Sequence, residues 1–201
     1  MLLKNKTTSF VDTKINMMNT LLEKFTEETI SCLKKLSQNH IEERCFEIDC
    51  SKLEDYLTND IRDSIQYKDL FKELETITRS TIYWYEITSE VNNETILEAF
   101  KNYKVSAKRP TPALNHYEHE LSRTLYVGKV KGCLWGRVIQ HLGYHKDATD
   151  HGMQLYHWAK PISLKLKLHT LELNEDMYHL IPSLEAYFAK ELKPLIGKHN
   201  Q

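Results

Sequence analysis

One stretch of the sequence alternates apolar and polar residues with a period of two. Ile162, Leu164, Leu166 and Leu168 alternate with Ser163, Lys165, Lys167 and His169. Successive side chains of a strand point to opposite faces of a sheet, so this pattern predicts a strand over 162–171 that is covered on one face. Such a strand needs hydrogen-bonded neighbours and a layer packed over its apolar side, which requires a fold that contains a sheet.

Two other short segments have the composition of strands. Residues 81–87 and 124–130 are rich in β-branched and aromatic residues, and both segments contain tyrosine. Half-buried strands favour these residue types. We therefore expect three strands in one small, mainly antiparallel sheet, which is flanked by helices in an α+β fold.

A helix is predicted between the second of these segments and the alternating one. Leu134, Val138 and Leu142 recur every four positions, which places them on one buried helical face. Arg137 and His141 are also four residues apart, so their side chains should lie beside each other on the same helix.

The last predicted helix contains the acidic residue that matters most for the functional interpretation. It is expected to begin at Pro182, where the missing amide is harmless, and to end before Pro194. This prediction places Glu185 in the first helical turn, where the helix dipole favours a carboxylate.

The N-terminal region, 1–78, is predicted to be helical throughout. Apolar residues recur at helical spacing over 12–37, residues 51–54 have the form of a capping box, and 67–77 has the pattern of a third helix. The rest of the chain, 79–201, is expected to form the domain that contains the sheet.

That domain is predicted to carry an insertion at about 88–123. Asn93 is a candidate N-cap for a helix that runs through Tyr103. The segment 108–112 (Lys-Arg-Pro-Thr-Pro) cannot continue a helix, and it forms a basic loop that is a plausible place for substrate recognition.

Composition places the chain among globular proteins and leaves its ligands open. The 201 residues are 41% hydrophobic and 27% charged, and no apolar run approaches the roughly 20 residues that cross a bilayer. The four cysteines form no C-x-x-C pair, so we expect reduced thiols and a cytoplasmic protein without a membrane partner.

Positive charge is concentrated in one part of a chain whose formal net charge is −1. Residues 105–146 contain seven Lys and Arg against two Asp and Glu. A surface that binds a polyanion needs such a local excess, since basic side chains that neutralise phosphates release condensed counterions. On charge alone, a solvated basic face explains the same pattern.

The order of these residues resembles the GIY-YIG nuclease superfamily. Ile82-Tyr83 stands where that family has its first Ile-Tyr, and Tyr126-Val127-Gly128-Lys129 is similar to its second motif. Arg137 follows near the place of the family arginine, with His141 one helical turn later. Glu185 occupies the place of the family's metal-binding glutamate.

This resemblance, which covers about residues 80–198, implies a DNA endonuclease that requires Mg²⁺ or Mn²⁺. The implied catalytic residues are Tyr83, Tyr126, Lys129, Arg137, His141 and Glu185. The glutamate would hold the metal, the arginine and histidine would contact the phosphate, and the tyrosines would position the attacking water, one of them as general base. The lysine would reach the phosphate or the water. DNA is the implied partner, and a homodimer is one arrangement that would cut both strands.

Two positions depart from the family pattern. Thr81 stands where the family usually has glycine, and Gly197 stands where its closing Lys-Pro-x-x-Asn motif has asparagine. Tyr85 also competes with Tyr83, because Tyr85-Glu86-Ile87 fits the first motif. Two other functions therefore stay open: a nucleic-acid-binding module without turnover, and an interaction protein that recruits a partner through its N-terminal helices.

Ordinary structural roles explain each of these residue types taken singly. Tyrosines in strands are commonly core residues, an arginine and a histidine one turn apart form an exposed polar face, and a glutamate often complements a helix dipole. Several histidines also invite a metal-site interpretation, but they lack tight ligand spacing and cysteine partners, so no structural zinc site is expected from them. These histidines are His116, His119, His145, His151 and His157.

Overall fold

The computed structural model describes residues 5–38, 43–107, 109–115, 121–145 and 151–197. The helices are α1 (Asn5–Gln38), α2 (Lys68–Glu75), α3 (Asn93–Ser106), α4 (Leu134–Leu142), α5 (Leu155–Trp158) and α6 (Ile181–Leu192). The strands are β1 (Glu43–Asp49), β2 (Thr81–Ile87), β3 (Thr124–Val130) and β4 (Lys165–Glu172). The 3₁₀ helix Cys50–Lys52 follows β1, and the 3₁₀ helix Glu175–Leu180 precedes α6.

The four strands form one sheet in the order β1-β4-β2-β3, and every neighbouring pair is antiparallel. The predicted α+β class is confirmed, and the two tyrosine-bearing segments form β2 and β3 over the predicted residues. The strand β3 is at one end of this order, and one residue on each of its faces reaches solvent: Tyr126 is partly exposed and Lys129 is exposed.

The fourth strand, β1, was not predicted, because it lies inside the region expected to be helical. Only Phe46 and Ile48 point into the core, and their neighbours on the strand are largely charged. Charged side chains are typical of an edge strand, where they discourage further pairing, but they shorten the apolar pattern that would identify it. The capping box predicted at Ser51 is also wrong, since a 3₁₀ turn capped by Asp49 occupies that position.

The boundary between the two parts of the chain also differs from the predicted one. The backbone divides into compact units over residues 1–41 and 42–201, whereas the sequence predicted a division at residue 78. The physical reason is β1, which pairs along its whole length with β4 and so joins the segment after residue 42 to the sheet.

The strand predicted from the alternating pattern forms β4, which begins three residues later than expected. Ser163 has a positive φ of 50°, and the amide of Leu164 donates to the carbonyl of Ala159 at 3.1 Å, so these residues close a turn instead. Leu166 and Leu168 are fully buried, as the alternation predicts.

Helices cover both faces of the sheet. The core face carries Tyr83 and Tyr85 of β2, and α4 packs over it with Val138 and Leu142 fully buried. On the other face, the ring of Trp84 lies 5.5 Å from that of Phe188 in α6. Side chains with functional groups therefore reach the β3 edge from α4 on one side and from α6 on the other.

The N-terminal helix α1 contains the predicted amphipathic segment and exposes much of its apolar side. Its exposed apolar residues include Ile15, Met18, Leu22, Phe25, Ile30 and Leu33. Within the described part of the chain, no helix combines the length and hydrophobicity needed to span a bilayer. The predicted helices at 67–77 and from Asn93 correspond to α2 and α3, and the N-cap of α3 is Asn92.

Candidate active site

Tyr83 is the residue around which the other predicted site residues gather. It lies opposite Gly128 in the β2–β3 register, and its side chain is fully buried. A Cβ atom at position 128 would lie 2.6 Å from the Tyr83 hydroxyl and 2.7 Å from the ring of Tyr126. The glycine is therefore required because the phenol of Tyr83 passes directly over the backbone of β3.

The imidazole of His141 fixes the position of the Tyr83 hydroxyl. The backbone N–H of Met153 donates to Nδ1 of His141 at 3.3 Å, so this nitrogen is unprotonated. The proton of the neutral ring is then on Nε2, which donates to the Tyr83 hydroxyl at 2.9 Å. Burial, and to a smaller degree the charge of Arg137, hold the pKa of His141 well below its usual value.

Arg137 makes the second contact to the same hydroxyl. Its Nε donates to the Tyr83 oxygen at 3.3 Å, and its Nη1 donates to Oε1 of Gln140 at 2.7 Å. A guanidinium has five N–H donors, so the fork retains donors beyond these two contacts. The side chain is partly exposed, which allows it to meet an anion.

These two contacts determine what the Tyr83 hydroxyl can do. Its oxygen accepts from both Nε2 of His141 and Nε of Arg137, so its own hydrogen is available for a third group. Burial raises the pKa of Tyr83, as does the neighbouring Tyr126, although Arg137 lowers it. The phenol is therefore protonated at neutral pH, which argues against Tyr83 as a general base and favours it as an acceptor that orients Arg137.

The structure brings Tyr126 and His141 to this network in different ways. The rings of Tyr83 and Tyr126 stack with centroids 6.2 Å apart, and Tyr126 is partly exposed. Tyr126 is thus the tyrosine that can contact a water molecule. The sequence predicted that His141 contacts the phosphate, but in the structure this side chain is fully buried. His141 therefore reaches Arg137 through Tyr83 instead of meeting a phosphate directly.

The contacts also distinguish Tyr83 from Tyr85 in the first motif. Tyr85 is likewise fully buried, and within the described residues its hydroxyl has no hydrogen-bond partner. Its ring packs edge-on against His141 at 5.6 Å. Tyr83 is therefore the tyrosine that joins the polar network.

Lys129 and Glu185 form an ion pair on the opposite face of β3. The ammonium of Lys129 contacts Oε2 of Glu185, and the two side chains are 40% and 20% exposed. Lys129 follows Gly128 directly, so the pair lies one residue from the point where Tyr83 crosses β3. The carboxylate is also close enough to Tyr83 to contribute, after burial and Tyr126, to the raised pKa of that phenol.

Glu185 does not lie in the first turn of its helix, as the sequence predicted. The helix α6 begins at Ile181, and its first turn has no acidic residue. The 3₁₀ helix that ends at Leu180 runs directly into α6, so Pro182 does not mark the start of the helical segment. The N-terminal dipole therefore contributes little to the environment of Glu185, and Lys129 supplies the neighbouring positive charge instead.

Gly197 stands where the family pattern has asparagine, and the segment around it contacts the insertion. Gly197 has φ 135°, a conformation that side chains rarely adopt, and its amide donates to the carbonyl of Ala113 at 2.8 Å. Asn115 of the insertion donates through Nδ2 to the carbonyl of Pro194 at 2.7 Å. An asparagine at 197 would be strained, and Asn115 provides a side-chain amide that ties this segment down.

The predicted basic loop at 108–112 lies partly outside the described residues, since Lys108 is not among them. Arg109 donates through Nη1 to the carbonyl of His145 at 2.5 Å, which anchors the loop beyond the end of α4. His116 and His119 also lie outside the described residues.

Comparison of the chain with protein-family models, with curated proteins and with solved structures finds no match. The site is therefore interpreted from its own geometry: a neutral histidine, a protonated tyrosine and an arginine in one network, and a lysine–glutamate pair across the same strand.

The buried His141 predicts a specific pH dependence of stability. Unfolded His141 takes up a proton near pH 6.5, whereas the native ring does not, so the unfolded state binds more protons and stability falls as pH decreases below that value. As the pH decreases below 6.5, the free energy of unfolding should fall more steeply for the wild type than for His141→Gln. The difference between the two slopes should be up to about 1.4 kcal/mol per pH unit.

Urea unfolding across the mildly acidic range measures both slopes. His157 serves as the matched control, because burial also lowers its pKa but it lies outside the Tyr83 network. His157→Gln should therefore keep the part of the slope that is due to His141. Equal slopes for the wild type and His141→Gln would contradict a neutral, buried His141.

Proposed function

We propose that the protein is a metal-dependent endonuclease that hydrolyses DNA phosphodiester bonds. The observation that carries this proposal is the meeting of two groups at β3: the network of Arg137, Tyr83 and His141 on one face, and the pair of Lys129 and Glu185 on the other. Hydrolysis of a phosphodiester needs stabilisation of the phosphoryl charge, a positioned water and a site for a cation, and these groups supply all three.

Glu185 would hold Mg²⁺ or Mn²⁺. Mg²⁺ is commonly bound through one or two carboxylates together with substrate phosphate and several waters, so one partly exposed carboxylate fits a metal that arrives with DNA. When bound, such an ion polarises a phosphoryl oxygen and lowers the pKa of a coordinated water. In the absence of the ion, Lys129 neutralises the carboxylate of Glu185. When the ion binds, Lys129 would be released to contact a phosphate oxygen.

Arg137 would grip the phosphate, and the residues behind it would hold the guanidinium in place. A guanidinium fork matches phosphate oxygens in shape and charge. The Tyr83 hydroxyl accepts a hydrogen bond from Nε of Arg137, and His141 holds that hydroxyl in place. His141 is therefore a positioning residue. Tyr126, which is partly exposed beside Tyr83, would orient the attacking water.

The charge distribution favours a nucleic acid over a small phosphate ester. The nine-residue stretch 129–137 contains Lys129 of β3, Lys131 just after it and Arg137 of α4, and it belongs to the part of the chain that holds the local excess of positive charge. A local excess of basic groups suits an extended polyanion.

A second candidate is a DNA-binding module of this fold that does not cleave. The observation that favours it is the Lys129–Glu185 contact, which occupies the carboxylate expected to bind metal. Such a module would bind DNA with strong salt dependence and would not need a divalent ion. Recruitment of a partner through α1 is a further function that is compatible with its exposed apolar residues.

A cleavage assay distinguishes the candidates. The purified full chain is incubated with supercoiled plasmid, linear duplex and branched DNA in the presence of Mg²⁺, Mn²⁺ or EDTA. We expect nicking or cutting with either ion and none with EDTA. Salt-sensitive binding without cleavage under both ions would support the module and reject the nuclease, and sedimentation of the active species would show whether it is a dimer.

A further inference from the structure

We propose that the protein carries a second metal site, which takes Zn²⁺ or a similar borderline-soft divalent ion through Glu43, Cys45 and His169. One ligand atom from each residue lies within 4.8 Å of the other two. The Sγ of Cys45 is 3.2 Å from Nδ1 of His169 and 3.7 Å from Oε1 of Glu43, and this oxygen is 2.8 Å from Nδ1.

These separations are close to what a tetrahedral ion requires. Zinc bonds of about 2.3 Å to sulfur and about 2.0–2.2 Å to nitrogen and oxygen place neighbouring ligand atoms roughly 3.4–3.6 Å apart. The cluster therefore needs to open by about 0.3 Å between Sγ and Nδ1 and by about 0.6 Å between Nδ1 and Oε1, which side-chain rotation can provide. Three protein ligands leave the fourth position open to solvent.

The β-sheet register explains why these residues meet. Cys45 of β1 is the direct cross-strand partner of His169 of β4. Glu43 lies two residues before Cys45, so its side chain is on the same face of the sheet. The arrangement is therefore held by backbone pairing along two strands, which is a rigid support for a ligand set.

The environment of His169 has the features of a metal-binding histidine. Its Nε2 lies 2.8 Å from Oε2 of Glu86, and its ring stacks on Trp84 with centroids 4.7 Å apart and planes 4° apart. A metal at Nδ1 would replace the contact of that nitrogen with Glu43, while the carboxylate of Glu86 would keep the proton on Nε2, as in carboxylate–histidine–zinc triads. The tryptophan fixes the plane of the ring.

The donor set selects the class of ion. A thiolate and an imidazole favour zinc and related ions over Mg²⁺, which requires oxygen ligands. A cysteine binds a metal as the thiolate, so binding would release the thiol proton of Cys45. Because this cluster is on β1 and β4 and Glu185 faces β3, this inference is independent of the proposed nuclease.

Such an ion would fasten the edge of the sheet. Among the described strands, β1 is at one end of the sheet order and pairs with β4, and a metal that joins Cys45 to His169 would add a link between them. Binding should therefore stabilise the folded state, and at concentrations above Kd the stabilisation should increase with the logarithm of the ion concentration.

Titration of the metal-stripped, untagged full chain with ZnCl₂ tests the site. We expect calorimetry to show one ion per chain, and Co²⁺ to give a thiolate-to-metal charge-transfer band. Both signals should be lost in Cys45→Ser and His169→Gln, and Glu86→Gln should weaken binding by roughly 10–100-fold. Cys133→Ser is the matched control, because Cys133 is also an exposed free cysteine but lies outside the cluster.

Circular dichroism of each variant shows whether it retains the fold. Folded Cys45→Ser and His169→Gln that bind Zn²⁺ as tightly as the wild type would overturn the proposal, as would a wild type that binds no Zn²⁺. Loss of the Co²⁺ band in Cys133→Ser would also contradict it. Since Glu185→Gln should bind Zn²⁺ normally, failure of this site and failure of the nuclease are distinguishable.

Discussion

Glu185→Gln is expected to abolish metal-dependent DNA cleavage while the protein remains folded. The substitution keeps the shape of the side chain but removes the charge, and a neutral amide is a weak ligand for Mg²⁺. We expect the cleavage rate to fall on the order of 10³-fold or more, since both cation binding and stabilisation of the phosphoryl charge depend on this group. Initial rates of plasmid nicking measure the loss.

Stability should change little in this variant. The contact between Lys129 and Glu185 is partly exposed, and exposed ion pairs contribute only about 0–1 kcal/mol. Glu191→Gln is the matched control, because Glu191 is an exposed glutamate on the same helix. If Glu185→Gln cleaves DNA at the rate of the control, Glu185 has no role in cleavage.

Gly128→Ala is expected to damage both stability and activity. The added methyl would lie 2.6 Å from the Tyr83 hydroxyl and 2.7 Å from the Tyr126 ring, and Tyr83 is fully buried, so the ring has little room to move. Overpacking of this kind costs about 1–3 kcal/mol. Displacement of the hydroxyl would also separate it from His141 and Arg137, so cleavage should fall in the protein that still folds.

Urea denaturation measures the first effect, and the cleavage rate per folded molecule measures the second. Gly132→Ala is the control, because its added methyl would meet only the carbonyl of Thr78, at 3.2 Å. If Gly128→Ala matches Gly132→Ala in both measurements, Tyr83 is not held against β3 as the structure has it.

The sequence predicted those parts of the fold whose residues repeat in a strong local pattern. The alternation that forms β4 and the aromatic segments of β2 and β3 give a clear period or composition, and each forms the expected strand. The strand β1 was missed because only two of its side chains enter the core. Its place in the sheet depends on pairing with β4, which is more than a hundred residues away in the chain.

The candidate site shows the same limit. The spacing of Arg137 and His141 predicted that they share a helix, which they do, but not that His141 would be buried behind Tyr83. That relation depends on how α4 packs on the sheet. The cluster of Glu43, Cys45 and His169 has no sequence signal either, because its two halves lie on β1 and β4 and meet only through the register.

The position of a bound divalent ion tests the central claim most directly. Crystals of the full chain with a short DNA duplex and Mn²⁺ would locate the ion by its anomalous scattering. We predict a peak within about 2.5 Å of a carboxylate oxygen of Glu185, with a DNA phosphate between the ion and Arg137. A phosphate bound elsewhere, or an ion found only at Glu43, Cys45 and His169, would contradict a catalytic site at the β3 edge.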